Sequence, residues 1–150
     1  RRTVCFISSG PRREKLLLCG RCGLVCLSGA LMGWYAEALK GGRYVDINTD
    51  EQARSVFALA AQTAMLRGGV DVFLEKGGVH LSRCREFLRQ AAGRDINHEI
   101  LTPEEVVRLN RDCVWPSESL VDEDRLGAYW SIRILISTCA DNGYGLEVNL

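Results

Sequence analysis

The segment from Cys19 to Trp34, CGRCGLVCLSGALMGW, constrains this chain more than any other: closely spaced cysteines on a glycine-containing turn run straight into an apolar stretch of small residues. That order reads as a reactive thiol at the start of a buried helix, running from Cys22 to about Lys40, where Gly41-Gly42 supplies a break. A thiol at the first helical position faces unpaired backbone N–H groups and the positive end of the macrodipole, which favour the thiolate. Gly20 and Gly23 let the backbone turn tightly and leave room for a substrate carbonyl beside Cys22. The longer run from Leu16 to Ala38 approaches the roughly 20 apolar residues of a membrane span. Arg21 within it, and Glu37 and Lys40 at its close, make it a core helix instead, and no membrane association is expected.

Composition bounds the rest. With 150 residues, 47% of them hydrophobic, the chain is expected to form one globular domain around one core. Lys plus Arg (19) equal Asp plus Glu (19), so no basic footprint argues for nucleic acid or an anionic membrane. Seven cysteines are an odd number, and Cys5, Cys84, Cys113 and Cys139 follow no regular spacing, which argues against a disulfide-stapled secreted domain and for a reducing, cytoplasmic setting. The first residues lack the order of a signal peptide, and a start at Arg1 is that expected of a fragment or processed product.

Patterning predicts helices first and a hairpin last. Thr3–Ser8 reads as a strand closed by the Ser9-Gly10-Pro11 turn, and Arg12–Lys15 as an exposed approach to the cysteines. After the first helix, Arg43–Ile47 is expected as a strand. Thr49 or Asp50 caps a helix that ends at Gly68-Gly69, with Val70–Leu74 extended behind it. Ser82 caps a helix stopped by Gly93, whose buried side carries Cys84. Thr102, Pro103 and Glu105 make a capping-box start for another helix. A short helix from Asp122 to Tyr129 then leads to a strand over Trp130–Thr138, a turn at Asp141-Asn142-Gly143 and a strand over Tyr144–Leu150. The sum is an α+β domain rather than alternating βαβ units.

Three chemistries use a segment like Cys19–Trp34. Cys19 and Cys22, with Cys26 nearby, match one close pair of a zinc site, whereas His80, Cys84, His98 and Cys113 are scattered singly and provide no second pair. A thioredoxin-like pair would use Cys19 as the attacking thiol but belongs in a βαβ frame. Cysteine hydrolysis needs a thiolate, a histidine to take and return its proton, and N–H donors for the oxyanion.

At these residues the chain resembles the papain-like cysteine peptidases, and among them the ovarian tumour-type deubiquitinases, whose nucleophile lies in Asp-Gly-x-Cys before an apolar helix. Cys19-Gly20-Arg21-Cys22 keeps the Gly and Cys and replaces the Asp. Trp115, Glu118, the helix through Leu126 and Ile132-Arg133-Ile134 are similar to that family's later Trp-Gly-Gly, acidic residue, helix and strand, with Pro116 and Ser117 in place of the glycines. CGLVCLSGAL is also similar to the nucleophile helix of bacteriocin-processing and actin-maturation proteases, although Leu16–Leu18 lack their oxyanion glutamine.

The resemblance implies a papain-like fold, with a nucleophile helix and helical lobe on a small antiparallel sheet. It also implies attack by Cys22 on a peptide or isopeptide carbonyl, within ubiquitin or the chain's own polyprotein, with Gly20 and Arg21 at the oxyanion and substrate. No cofactor or metal is expected. The base is His98, within Asp95-Ile96-Asn97-His98-Glu99, or else His80 on the Gly77-Gly78 loop, or a histidine outside this sequence. Two alternatives stay open: a non-catalytic interaction domain of the same fold, presenting the acidic tract Glu118–Asp124, and a small zinc-binding domain using Cys19 and Cys22.

Overall fold

The computed structural model describes residues 35–68 and 74–149, together with the backbone of 16–19 and 23–26. The expected strand at Thr3–Ser8, the turn and approach that follow it, and residues 70–73 of the expected extended link lie outside the described residues.

Strands β1 (Leu16–Cys19) and β2 (Gly23–Cys26) form an antiparallel hairpin in which Cys19 faces Gly23. β3 (Tyr35–Lys40) returns through Gly41-Gly42, at φ +60° and +77°, into β4 (Arg43–Tyr44). Two residues with positive φ match the twist of a tight hairpin, and glycine adopts that geometry without a Cβ clash. The helix expected from Cys22 to Lys40 is therefore corrected at both ends, where Gly23–Cys26 and Tyr35–Lys40 are strands. Ala, Glu, Leu and Lys favour helix locally, but β3 has partners on both edges, and its small Ala36 and Ala38 let the helical layer close over it.

Helix α1 (Glu51–Leu66) starts on an Asp50 cap, as expected, with the Asp50 carboxylate accepting from Ala53 N at 3.0 Å. β5 (Gly78–His80) leads directly into α2 (Leu81–Ala92), after which Gly93 turns at φ +73°. β6 (Glu99–Leu101) precedes α3 (Pro103–Asp112), whose reciprocal capping box joins Thr102 and Glu105 as its sequence predicts.

The largest departure follows. Trp130–Thr138, expected as a strand, is the middle of α4 (Leu126–Asn142), and the expected helix from Asp122 consists instead of a 3-10 turn over Glu123–Arg125 leading into α4. Asn142-Gly143 is not a hairpin turn but the end of α4, with Gly143 left-handed at φ +72°. β7 (Gly145–Asn149) closes the sheet.

The sheet is antiparallel in the order β4-β3-β7-β6, with β5 alongside β3 on the same edge as β4. The coarse expectation of an α+β domain on a small antiparallel sheet holds. One sheet face, made of Ala36, Ala38, Val79, Leu101, Leu146 and Val148, packs into the core with Phe57, Leu74, Val106, Tyr129, Ile132, Leu135 and Ile136 from the helical side. α4 contacts α1, α2 and α3 as well as the sheet, so apolar residues all round it are what its position requires.

Candidate functional site on the outer sheet face

Because strand side chains alternate, burying Ala36, Ala38, Leu146 and Val148 in the core turns Tyr35, Glu37, Glu147 and Asn149 to the opposite face. The register aligns them in rows. Tyr35 on β3 pairs with His80 on β5 at one edge and with Asn149 on β7 at the other. One residue before β6, His98 completes the row, its Nδ1 lying 3.1 Å from Asn149 Oδ1. The row therefore reads His80, Tyr35, Asn149, His98, and holds both histidines of the chain.

Each member is held by a separate cause. The Tyr35 and His80 rings meet edge to face at 5.7 Å. Asn149 is fixed by the β7 ladder. His98 is exposed and has φ 51°, a left-handed conformation that histidine adopts more readily than most residues and that concentrates at functional sites. An amide oxygen only accepts, so this contact is a hydrogen bond in the tautomer that carries the proton on Nδ1, and in that tautomer Nε2 is the acceptor nitrogen.

A second row lies two residues along, where Glu37 is opposite Glu147 on one side and Gly78 on the other. Two carboxylates directly opposed on a ladder repel. Glu147, although 8% exposed, accepts a 2.5 Å hydrogen bond from the Tyr44 hydroxyl on Oε2. Glycine is required at 78 because a Cβ there would lie 2.9 Å from the Ala36 carbonyl oxygen.

Of the sequence-predicted site residues, His98 and His80 come together in one row, while Gly20, Arg21 and Cys22 lie outside the described residues. Gly23–Cys26 are a strand, so the helix whose dipole was expected to favour a thiolate at Cys22 does not follow that residue. The side chains of three cysteines are described. Cys139 is fully buried, which pushes its thiol up to about 12, and burial also raises Cys113. Cys84 is buried and donates to the Ala128 carbonyl at 3.3 Å. These are structural thiols, unlike the electropositive, accessible thiolates of nucleophiles.

Sequence reasoning missed Asn149, Tyr35 and Tyr44. A signal for Asn149 existed: in Gly145–Asn149 the alternation of Leu146 and Val148 with Glu147 and Asn149 already sets the last two on one face. Among the described residues no group of three or more His, Cys, Asp or Glu could hold a metal ion, and no helix is long and apolar enough to cross a membrane. No family model, curated protein or solved structure matches the chain.

Proposed function

We propose that the chain is a cysteine-dependent peptidase of papain-like chemistry, acting in a reducing compartment, with Cys22 as nucleophile, His98 as general base and Asn149 as the residue that orients the base. The observation that carries this reading is the 3.1 Å contact between His98 Nδ1 and Asn149 Oδ1, which leaves Nε2 free to take a proton. The burial of Cys84 and Cys139 and the raised Cys113 support it by directing the search for a nucleophile to Cys5, Cys19, Cys22 and Cys26.

His98 Nε2 removes the Cys22 thiol proton, and the sulfur attacks a peptide or isopeptide carbonyl while backbone N–H groups of Gly20 and Arg21 meet the oxyanion. The same imidazole returns the proton to the leaving amine. Water, deprotonated by His98, then hydrolyses the thioester and restores the thiol. His80 lies three strand steps from His98, roughly 14 Å at about 4.8 Å per step, so one thiol cannot engage both.

The test is labelling of the whole chain with iodoacetamide and with a ubiquitin-vinyl electrophile, read by mass spectrometry. Fast modification confined to Cys22 is expected, absent in Cys22→Ser and slowed at least tenfold in His98→Ala, with a smaller loss in Asn149→Ala and none in His80→Ala. Uniformly slow labelling of all seven cysteines, or a His98→Ala profile equal to wild type, refutes the reading. Labelling by iodoacetamide without the ubiquitin probe would favour a peptide bond, as in polyprotein processing, over an isopeptide to ubiquitin.

A further inference from the structure

The loop that joins α3 to α4 is lightly held. Over residues 117–125 its backbone hydrogen bonds close single 3-10 turns, with Leu120 N–H donating to Ser117 O at 2.9 Å, Val121 N–H to Glu118 O at 3.0 Å and Arg125 N–H to Asp122 O at 2.9 Å. Ser117–Leu120 and Asp122–Asp124 are exposed, and Val121 between them is half-buried. Glu118 makes the side-chain bond that ties this stretch to α4, accepting from Trp130 Nε1 at 3.1 Å. A segment with so few buried contacts opens locally far below the cost of unfolding the domain.

Within that loop Ser119 stands three residues ahead of the run Asp122-Glu123-Asp124. Those three carboxylates form no ion pair among the described residues, and Asp122 makes no side-chain cap on the turn it precedes. The Ser119 hydroxyl lies 2.9 Å from that of Ser117, and because a hydroxyl both donates and accepts, the contact leaves the Ser119 oxygen a lone pair. Thr102 has the same spacing to Glu105 and is also exposed, but there the pattern is turned inward. The Thr102 hydroxyl accepts from Glu105 N at 3.2 Å, and the Glu105 carboxylate accepts from Thr102 N at 2.8 Å, so both groups belong to the cap of α3. At Ser119 the hydroxyl and the carboxylates are instead presented to solvent.

We propose that Ser119 is a phosphorylation site for a protein kinase whose substrate groove is basic, with ATP as the phosphoryl donor. Drawn out as an extended strand, the loop places Asp122 about 10 Å beyond the Ser119 hydroxyl. A basic pocket at that distance from the transfer centre meets Asp122 first and then Glu123 and Asp124, which is the charge complementarity that sets kinase specificity. The Ser119 oxygen attacks the γ-phosphorus, and the bond from that phosphorus to the bridging oxygen breaks, its electron pair leaving with ADP. The hydroxyl proton passes to the kinase's catalytic aspartate. The product adds about two negative charges to a loop that already carries four carboxylates from Glu118 to Asp124. This site is independent of the peptidase reading.

The experiment incubates the full chain with magnesium ATP and casein kinase II, whose groove is basic, and in parallel with the cyclic-AMP-dependent kinase, whose groove is acidic. Mass spectrometry maps and times the phosphates. Modification of Ser119 is expected with casein kinase II and not with the other enzyme, and Thr102 is expected to react at least about tenfold more slowly than Ser119. Asp122→Asn, a change at an exposed position where folding is not at stake, should slow modification of Ser119 about tenfold. Asp141→Asn removes the same charge at the exposed end of α4 and leaves the rate unchanged. No phosphate on Ser119, equal rates with the two kinases, equal rates at Ser119 and Thr102, or an Asp122→Asn rate equal to wild type each overturns the proposal.

Discussion

Cys139 makes the stability of this chain sensitive to alkali in a way that can be worked out in advance. The residue sits on α4 with no exposed surface, and burial raises its thiol from an ordinary 9.0 to about 12. The folded state thus keeps the proton where the unfolded chain releases it. Below pH 9 both states are protonated and Cys139 imposes no penalty. Between about pH 9 and 12 the unfolded state alone ionises, so stability falls by about 1.4 kcal/mol per pH unit. At pH 10.5 that amounts to a loss of roughly 2 kcal/mol relative to pH 8. Cys139→Ala removes this slope while lowering stability at every pH through the small cavity it leaves. Tyr144, whose hydroxyl is also pushed up by burial, and Cys113 titrate in both proteins and largely cancel in the comparison. Urea unfolding of wild type and Cys139→Ala at pH 8.0 and 10.5 measures the difference. Wild type should lose about 2 kcal/mol more than the variant between the two pH values. Parallel losses would show that the folded-state thiol is not held protonated. The same shift leaves Cys139 about a thousandfold poorer in thiolate than a free thiol at pH 8, so it should be silent in any native labelling experiment.

Thr102→Ala breaks the capping box at α3 and should cost about 1 kcal/mol in urea unfolding, with an equal m-value. Gly145→Ala places a Cβ 2.7 Å from the Leu101 carbonyl oxygen, forcing β7 from β6; we expect a clear drop in Tm and, because His98 and Asn149 flank that ladder, an NMR shift of the His98 ring resonances. Tyr44→Phe strips the hydroxyl that donates to Glu147 Oε2 and should cost about 1 kcal/mol in urea unfolding, so an unchanged stability would show that this hydrogen bond contributes nothing net.

Local signals served well wherever a side chain reports on its own backbone. The Asp50 and Thr102 caps and the alternation in Gly145–Asn149 are physical causes that act within a few residues, and each produced the element it predicts, whereas the glycines at 41–42 break the chain as expected but turn a hairpin instead of ending a helix. The failures lie where tertiary position decides. Trp130–Thr138 is rich in isoleucine and apolar throughout, a pattern shared by a buried strand and a helix enclosed on all sides; contact with α1, α2, α3 and the sheet makes it the second. Tyr35–Lys40 has helix-forming residues, but its neighbours in space are strands more than a hundred residues away for β7 and about forty for β5. β5 and β6 are three residues each, too short for any periodicity to show.

Both errors also hid the candidate site. A helix over residues 35–40 would scatter Tyr35 and Glu37 around a cylinder, and a strand over 130–138 would crowd another element into the sheet. With β3 in place and α4 in the core, the helices take up one face of the sheet, and the polar residues of β3, β5 and β7 can only appear on the other. His98 stands beside Asn149 because β6 pairs with β7 in a register that puts Glu99 opposite Val148, one step from the contact. Asn149, the partner of His98, is therefore 51 residues distant in sequence and adjacent in space, a relation set by strand register alone. A one-residue slip of β6 would turn His98 to the helical face. The short β6 thus fixes the geometry on which the proposed proton transfer depends, and any substitution that loosens it should lower the reactivity of Cys22 before it unfolds the chain.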